Sequence, residues 1–221
     1  MKNKKELLIF GAGGHAVKVA KIATFHGNYK LLGYISTERQ GTAIDDSYVL
    51  GYIDFYKNTK DIHKVFIHIG IGENSIRYKI YHEIGELNKK IISIISDWSI
   101  VSKYSTIDKG CFVAQGVIIQ NNVKVGKCCI IDTGAVIDHD NTIGDFVTIS
   151  PNSTICSHVS IGNGAIIGAG STIIEKTKIG ENSLVGAGSV VIKDIPPNVV
   201  VVGNPARIIR KREFNERYFK Q

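Results

Sequence analysis

Residues 143–173 read IGDFVTISPNSTICSHVSIGNGAIIGAGSTI, with isoleucine at 143, 149, 155, 161, 167 and 173. Extended both ways, the six-residue step runs from Ile95 to Val191, and all seventeen positions are Ile or Val. Period six fits neither the 3.6 of a helix nor the 2 of a strand. It is met when each hexad forms one short strand and one corner of a triangular prism. The Ile/Val then points inward and stacks on its counterpart about eighteen residues later, one coil away. Two places before each next Ile/Val the residue is usually small or β-branched, as at Ser105, Cys111, Ala135, Ser153, Ser171 and Ser189. Glycine often follows the Ile/Val, as at Gly126, Gly144, Gly162 and Gly180, which predicts turns needing permissive dihedrals.

Past the ladder, Pro196 and Pro197 end the regular prism, and Gly203-Asn204-Pro205-Ala206 predicts a tight turn. In the basic tail that follows, Arg207, Arg210 and Lys211 are placed to meet phosphates, although a solvated C-terminal helix would account for the tail as well. Residues 1–94 differ from the ladder. LLIF (7–10) predicts a strand, GAGG a turn and the residues from Gly14 an amphipathic helix. KLLGYIS and KVFIHIGI are further strands, NSIRYKIYHEIGEL is a helix and KKIISIIS is a last strand feeding the prism. Strands alternating with helices predict a small open parallel sheet. The expected architecture is an α/β Rossmann-like domain over 1–94, followed by a parallel β-helix over 95–221 with a C-terminal cap.

Charge and cysteine content narrow the function. The 27 Lys and Arg exceed the 20 Asp and Glu, for a net charge of +7, but much of the excess sits at the two ends. This predicts a modest field for small anions rather than a nucleic-acid surface. Cys111, Cys128, Cys129 and Cys156 lack metal-site spacing and read as small packing residues. No run of eighteen apolar residues and no signal-peptide core is present, so no membrane partner and a cytoplasmic location are expected.

Two places carry chemistry. The turn Gly11-Ala12-Gly13-Gly14-His15-Ala16 puts backbone N–H groups at a helix start, a setting for phosphate or sugar. About 90 residues leave no room for a second mononucleotide half, and the second strand ends Ser36-Thr37 rather than on an acid. A mononucleotide or nucleotide-sugar is therefore favoured over NAD. Within the ladder, His139 stands in Asp138-His139-Asp140, where neighbouring carboxylates favour imidazolium and raise the basicity of the neutral ring. That suits a general base. The other ladder histidine, His158, lies nineteen residues on, one coil plus one residue, in a different hexad phase, so the two are not expected to stack. With no third imidazole, no metal is expected.

GAGGH, IGIGENSIR, DTGAVIDHD, IGAGS, VGAGS and VVGNPAR, in that order, resemble the NeuD/PglD-type sugar acyltransferases of the hexapeptide-repeat superfamily, among them nucleotide-amino-sugar N-acetyltransferases. The resemblance implies a left-handed prism, a homotrimer with active sites at subunit interfaces, acetyl-CoA as cosubstrate and a nucleotide-sugar as acceptor. It makes His139 the proton acceptor and Asp140 the residue raising its basicity. It assigns Gly13, Gly14, His15, Ser36, Thr37, Gly72 and Ser75 to the nucleotide-sugar. It gives Thr148, Ala169, Ala187, Gly203, Asn204 and Pro205 to acetyl-CoA. Three departures stand out: Ser36-Thr37 in place of an acidic pair, Thr148 in place of a histidine, and Asp132 in place of an Asn, where it could meet a substrate ammonium. The implied reaction is acetyl transfer to the 4-amino group of a nucleotide-linked 4-amino-4,6-dideoxy sugar, in bacterial surface-glycan synthesis. The alternatives are O-acetylation of sialic acid or a related sugar, and a non-catalytic trimeric nucleotide-sugar-binding protein.

Overall fold

The computed structural model describes residues 4–25, 28–38, 40–51, 64–85, 90–213 and 216–218. The chain divides into two compact units, Met1–Gly72 with Ile76–Ile94, and Glu73–Ser75 with Ile95–Gln221.

The first unit is built on β1 (Lys5–Phe10), α1 (Gly14–Phe25), β2 (Tyr29–Ile35), β3 (Ala43–Ile44), β4 (Ser47–Gly51), β5 (Phe66–Ile69) and α2 (Asn74–Glu83). Its sheet runs β3-β4-β2-β1-β5. β1 is central, parallel to β2 on one side and β5 on the other. Leu7, Leu8, Ile9 and Phe10 are all buried, the unbroken apolar run of a strand covered on both faces. On α1, Ala16, Val19, Ala20 and Ala23 are buried at helical spacing. At the far edge β3 and β4 form an antiparallel hairpin, so the sheet is mixed rather than wholly parallel. The strand expected over KKIISIIS is not one element. Ile91 makes an isolated bridge to Ile67, and Ile94–Ile95 already belongs to the second unit's sheets. Glu86 to Lys89, the end of the predicted helix and the start of that strand, lie outside the described residues.

The second unit is a three-sided parallel solenoid. Seventeen two-residue strands, β6 (Ile94–Ile95) to β22 (Val190–Val191), recur every six residues. Up to β19 (Thr172–Ile173) each pairs in parallel with the strand eighteen residues on, for example Ile119 with Ile137 and Ile137 with Ile155. From Val113 to Val191 every inward Ile/Val is buried, whereas Ile95 at the open end of the stack is 43 % exposed. The small-residue ladder is equally regular. Ser153 Oγ donates to Gly168 O (2.9 Å), Ser171 Oγ to Gly186 O (2.8 Å), and the thiols of Cys111 and Cys129 to Gly126 O and Gly144 O (each 3.0 Å). The cysteines therefore occupy serine positions, and burial raises the Cys111 pKa so that it stays a thiol.

The glycines after the Ile/Val do not supply positive φ. A methyl on Gly144 would lie 2.9 Å from the Asn163 nitrogen, so close coil-to-coil approach excludes a side chain there. Left-handed backbone falls three places before the Ile/Val, on every sixth residue from Gly110 to Gly188. That series includes Asn122, Cys128, Asp140, Phe146 and His158 as well as glycine.

β23 (Val199–Gly203) pairs with β21 (Leu184–Val185) in parallel, Val185 facing Val201, sixteen residues on instead of eighteen. The prolines thus mark a shortened last coil. The turn at 204–205 then returns the chain as β24 (Ala206–Lys211), antiparallel to β23. The solvated helix that would also account for this tail does not form over these residues. Val199–Val202 offers an open strand edge, and ARIIRK pairs with it. Among the described residues no helix is long and apolar enough to cross a membrane.

Candidate active site

The loop after β13 (Val136–Ile137) carries Asp138, His139, Asp140 and Asn141. Asp138 Oδ1 accepts from the His139 N–H (2.8 Å). His139 Nδ1 lies 2.7 Å from Asp140 Oδ2, and Asn122 Nδ2 donates to Asp140 Oδ1 (3.1 Å). A carboxylate can only accept, so Nδ1 carries the proton and Nε2 keeps its lone pair. The Asp140 hydrogen bond is the main cause raising the His139 pKa, with the charges of Asp138 and Asp140 adding to it. Asp140 is lowered in turn, by His139 first and Asn122 second. Both side chains are part-exposed, at 49 % and 37 %.

The coil period explains what the hexad phase concealed. Asp140 and His158 are eighteen residues apart in one corner column, both with φ of 59°. His158 Nε2 reaches to 4.0 Å from Asp140 Oδ2, and its ring stands edge-on to His139 at 5.5 Å. The two histidines do not stack, as their phases imply; Asp140 is the residue stacked with His158, and the two rings meet edge-on beside it. The nitrogen and oxygen ligand atoms of His139, Asp140 and His158 all lie within 4.8 Å of one another.

Two positioning residues escaped the sequence reading. Asn141 is fully buried. Its Nδ2 donates to Asp138 O (2.7 Å) and its Oδ1 accepts from the Val159 N–H (2.6 Å), tying the corner to the next coil. Its signal was an Asn where the ladder elsewhere has Ser, Ala, Cys, Val or Thr. Asn122 was legible from the eighteen-residue step to Asp140. Cys156, one coil past Asp138, is held protonated by burial first and then by Glu175 and Asp138, which makes it a poor nucleophile. Beside Asp140 opens a groove of about 400 Å³ lined by Tyr104, Thr106, Asn122, Lys124 and Thr142. A second, of about 700 Å³, borders Thr142, Ser160 and Lys178 on the same outer face of the prism.

The remaining candidates fall in separate places. Asp132 caps its own loop, accepting from Thr133 N (2.7 Å). Ala169 and Ala187 stack in the same corner column as Thr133, since the Gly188 N–H bonds Ala169 O. That corner follows the sheet of β12 (Ile130–Ile131) and β18 (Ile166–Ile167), and His139 sits on another. Thr148 is buried on that sheet's outer row with Phe112, Ile130 and Ile166. Gly203, Asn204 and Pro205 form the exposed turn before β24, where the Gly203 N–H donates to Ser189 Oγ. Arg210, expected to face phosphates, is held at both nitrogens by Glu216.

In the first unit, Gly13, Gly14 and His15 follow the carboxyl end of β1, Ser36 and Thr37 follow β2, and Gly72 follows β5. Ser75, which falls in the second unit, stands in the first turn of α2. With β2 and β5 on opposite sides of β1, this is where an open α/β sheet reverses its winding and leaves a crevice. The glycines differ in cause. A methyl on Gly11 would sit 2.9 Å from Gly70 O, but one on Gly13 or Gly14 meets nothing within 4 Å. Arg77, 1 % exposed, fixes the third loop by donating from Nη1 to Ile71 O (3.0 Å) and Gly72 O (2.6 Å).

Residues 6–84 match the PglD N-terminal domain, and residues 142–175 and 158–193 match the bacterial transferase hexapeptide (six repeats). No curated protein matches the sequence. Among solved structures, the acetyltransferase domain of PglB from Neisseria gonorrhoeae FA1090 is 29% identical with a TM-score of 0.88, over 93% of this chain and 100% of that one. The same domain has been solved with acetyl coenzyme A. PerB from Caulobacter crescentus, in complex with CoA and GDP-perosamine, is 29% identical with a TM-score of 0.86, over 92% and 96%. WeeI from Acinetobacter baumannii AYE is 26% identical with a TM-score of 0.85, over 92% and 99%. The chain therefore carries a PglD N-terminal domain and bacterial transferase hexapeptide repeats, it resembles the PglD-type sugar acyltransferases along most of its length, and its solenoid is the left-handed parallel β-helix of the hexapeptide repeat.

Proposed function

We propose that the chain transfers the acetyl group of acetyl-CoA to the 4-amino group of a nucleotide-linked 4-amino-4,6-dideoxy sugar. The observation that carries the reading is the half-exposed His139, its Nδ1 on Asp140 and its Nε2 open. The amine nitrogen attacks the thioester carbonyl carbon while His139 Nε2 takes its proton. The tetrahedral intermediate then collapses, the C–S bond breaks, and the CoA sulfur leaves with the proton from the imidazolium. Asp140 holds the ring and its tautomer throughout.

The glycine turn at 11–14 supports a nucleotide-bearing acceptor. Neither packing nor φ demands glycine at Gly13 or Gly14, whereas a phosphate approaching the N–H groups of α1 does. Ser36, Thr37 and Gly72 complete that site in this reading. The separate corners of His139 and of Asp132, Ala169 and Ala187 support a homotrimer. One chain's base would face a neighbour's corner loops, with acetyl-CoA between them and the 203–205 turn beside it. Thr148, buried in its own chain, would contribute through backbone.

Thiol release from acetyl-CoA tests this against a panel of 4-amino nucleotide-sugars, the matching free sugars and sialic acid. The reading predicts release only with the nucleotide-linked amines. Release with sialic acid alone would favour the O-acetylation alternative. No release with any acceptor, despite nucleotide-sugar binding, would favour a non-catalytic binding protein.

A further inference from the structure

We propose that His139, Asp140 and His158 form a site for a zinc-like divalent cation, and that filling it switches acetyl transfer off. The binding half stands on geometry alone; the inhibitory half rests on His139 being the base.

The three ligand atoms lie within 4.8 Å of one another, and none is buried. Zinc holds nitrogen and carboxylate oxygen at about 2.0–2.2 Å, which sets neighbouring ligands roughly 3.3 Å apart. His139 Nδ1 and Asp140 Oδ2 are closer than that at 2.7 Å, and His158 Nε2 is farther at 4.0 Å. Exposures of 49 %, 37 % and 51 % leave these side chains room to move the few tenths of an ångström to an ångström required. Two imidazoles with one carboxylate suit zinc, nickel or copper, while calcium and magnesium favour all-oxygen shells. Such an ion is not a cofactor. Binding requires the other tautomer: the His139 proton moves from Nδ1 to Nε2, the ion takes the freed Nδ1 lone pair together with the Asp140 carboxylate, and Nε2 can no longer accept a proton.

Cobalt(II) tests the site, because its visible bands report coordination without any turnover. The metal-stripped full chain is titrated with Co2+ alongside His158→Asn, since Asn tolerates the left-handed corner. Outer-shell partners of a metal already account for about 10–100-fold in affinity, so losing a direct ligand is expected to weaken Co2+ by at least about tenfold. The variant should also lose inhibition by added Zn2+, read as the ratio of its own acetyl-transfer rates with and without the ion. Absence of a four-coordinate Co2+ spectrum in the wild type, or equal Co2+ affinity in His158→Asn, would overturn the site. A wild type that binds Co2+ yet transfers acetyl undiminished in saturating Zn2+ would overturn the switch. Failure of every acceptor in the thiol-release panel would count against the proposed reaction while leaving the spectrum as a readout of the site.

Discussion

Replacing Asn141 by Ala separates the stability of the solenoid from the placement of its catalytic corner. Asn141 is fully buried and makes two hydrogen bonds, to Asp138 O at 2.7 Å and from Val159 N at 2.6 Å. Truncation leaves both backbone groups without these partners, and a buried group so stranded costs about 1–3 kcal/mol. Asp138 O lies in part-buried surroundings and falls at the low end, so the expected loss is about 2–4 kcal/mol. At roughly 2–4 °C per kcal/mol for a chain of this size, Tm drops by about 4–16 °C. Thermal unfolding followed by circular dichroism at fixed protein concentration reads this. Asn141→Ser is the informative companion. Ser105 occupies the same ladder, donating to Gln120 O and accepting from Val123 N, so serine can repair the coil-to-coil bonds. With one hydroxyl proton, a serine that bonds the next coil as Ser105, Ser153 and Ser171 do has none left for Asp138 O. Asn141→Ser should therefore keep most of the stability while kcat falls and the KM for acetyl-CoA holds. A Tm within 1 °C of wild type for Asn141→Ala, or wild-type kcat in Asn141→Ser, would refute the role given to this residue.

Asp140→Asn keeps a residue suited to left-handed φ but removes the carboxylate that raises His139. A base works only when unprotonated, so activity climbs as pH rises through the His139 pKa. Lowering that pKa moves the climb to lower pH, and the plateau falls because the ring is less basic; a pH–rate profile unchanged in both respects would contradict this. Gly13→Ala should leave Tm unchanged, since its methyl meets nothing, yet raise the KM for the nucleotide-sugar. Gly11→Ala should destabilise the first unit through contact with Gly70 and Ile71 and through φ of 109°. Thermal melts and substrate titrations distinguish the pair, and equal melts would count against the contrast.

The inward ladder was legible because only Ile and Val fill it, and the structure stacks these residues coil on coil. The corner was half legible. Carboxylates flanking His139 pointed to a base, but the left-handed column accepts Gly, Asn, Asp, Cys, Phe, His and Lys alike, so no residue type announces it. Comparing His139 with His158 by hexad phase hid their meeting, because the residue that stacks on His158 is Asp140. The tail misled for a different reason: ARIIRK has helical composition, and only the open edge of β23 makes it a strand. In the first unit the glycine turn was plain, whereas Arg77 was read only within a motif, its role depending on the loop it folds back to hold.

The central claim, that His139 is the base of an acetyl transfer, is tested most directly by kcat/KM for thiol release in wild type and His139→Ala. Both are assayed with an acceptor that the panel selects, and acetyl-CoA binding is checked separately. General-base catalysis contributes about 10²–10⁴-fold, so the account predicts a loss of that size with acetyl-CoA affinity retained. A variant within about threefold of wild type would contradict it.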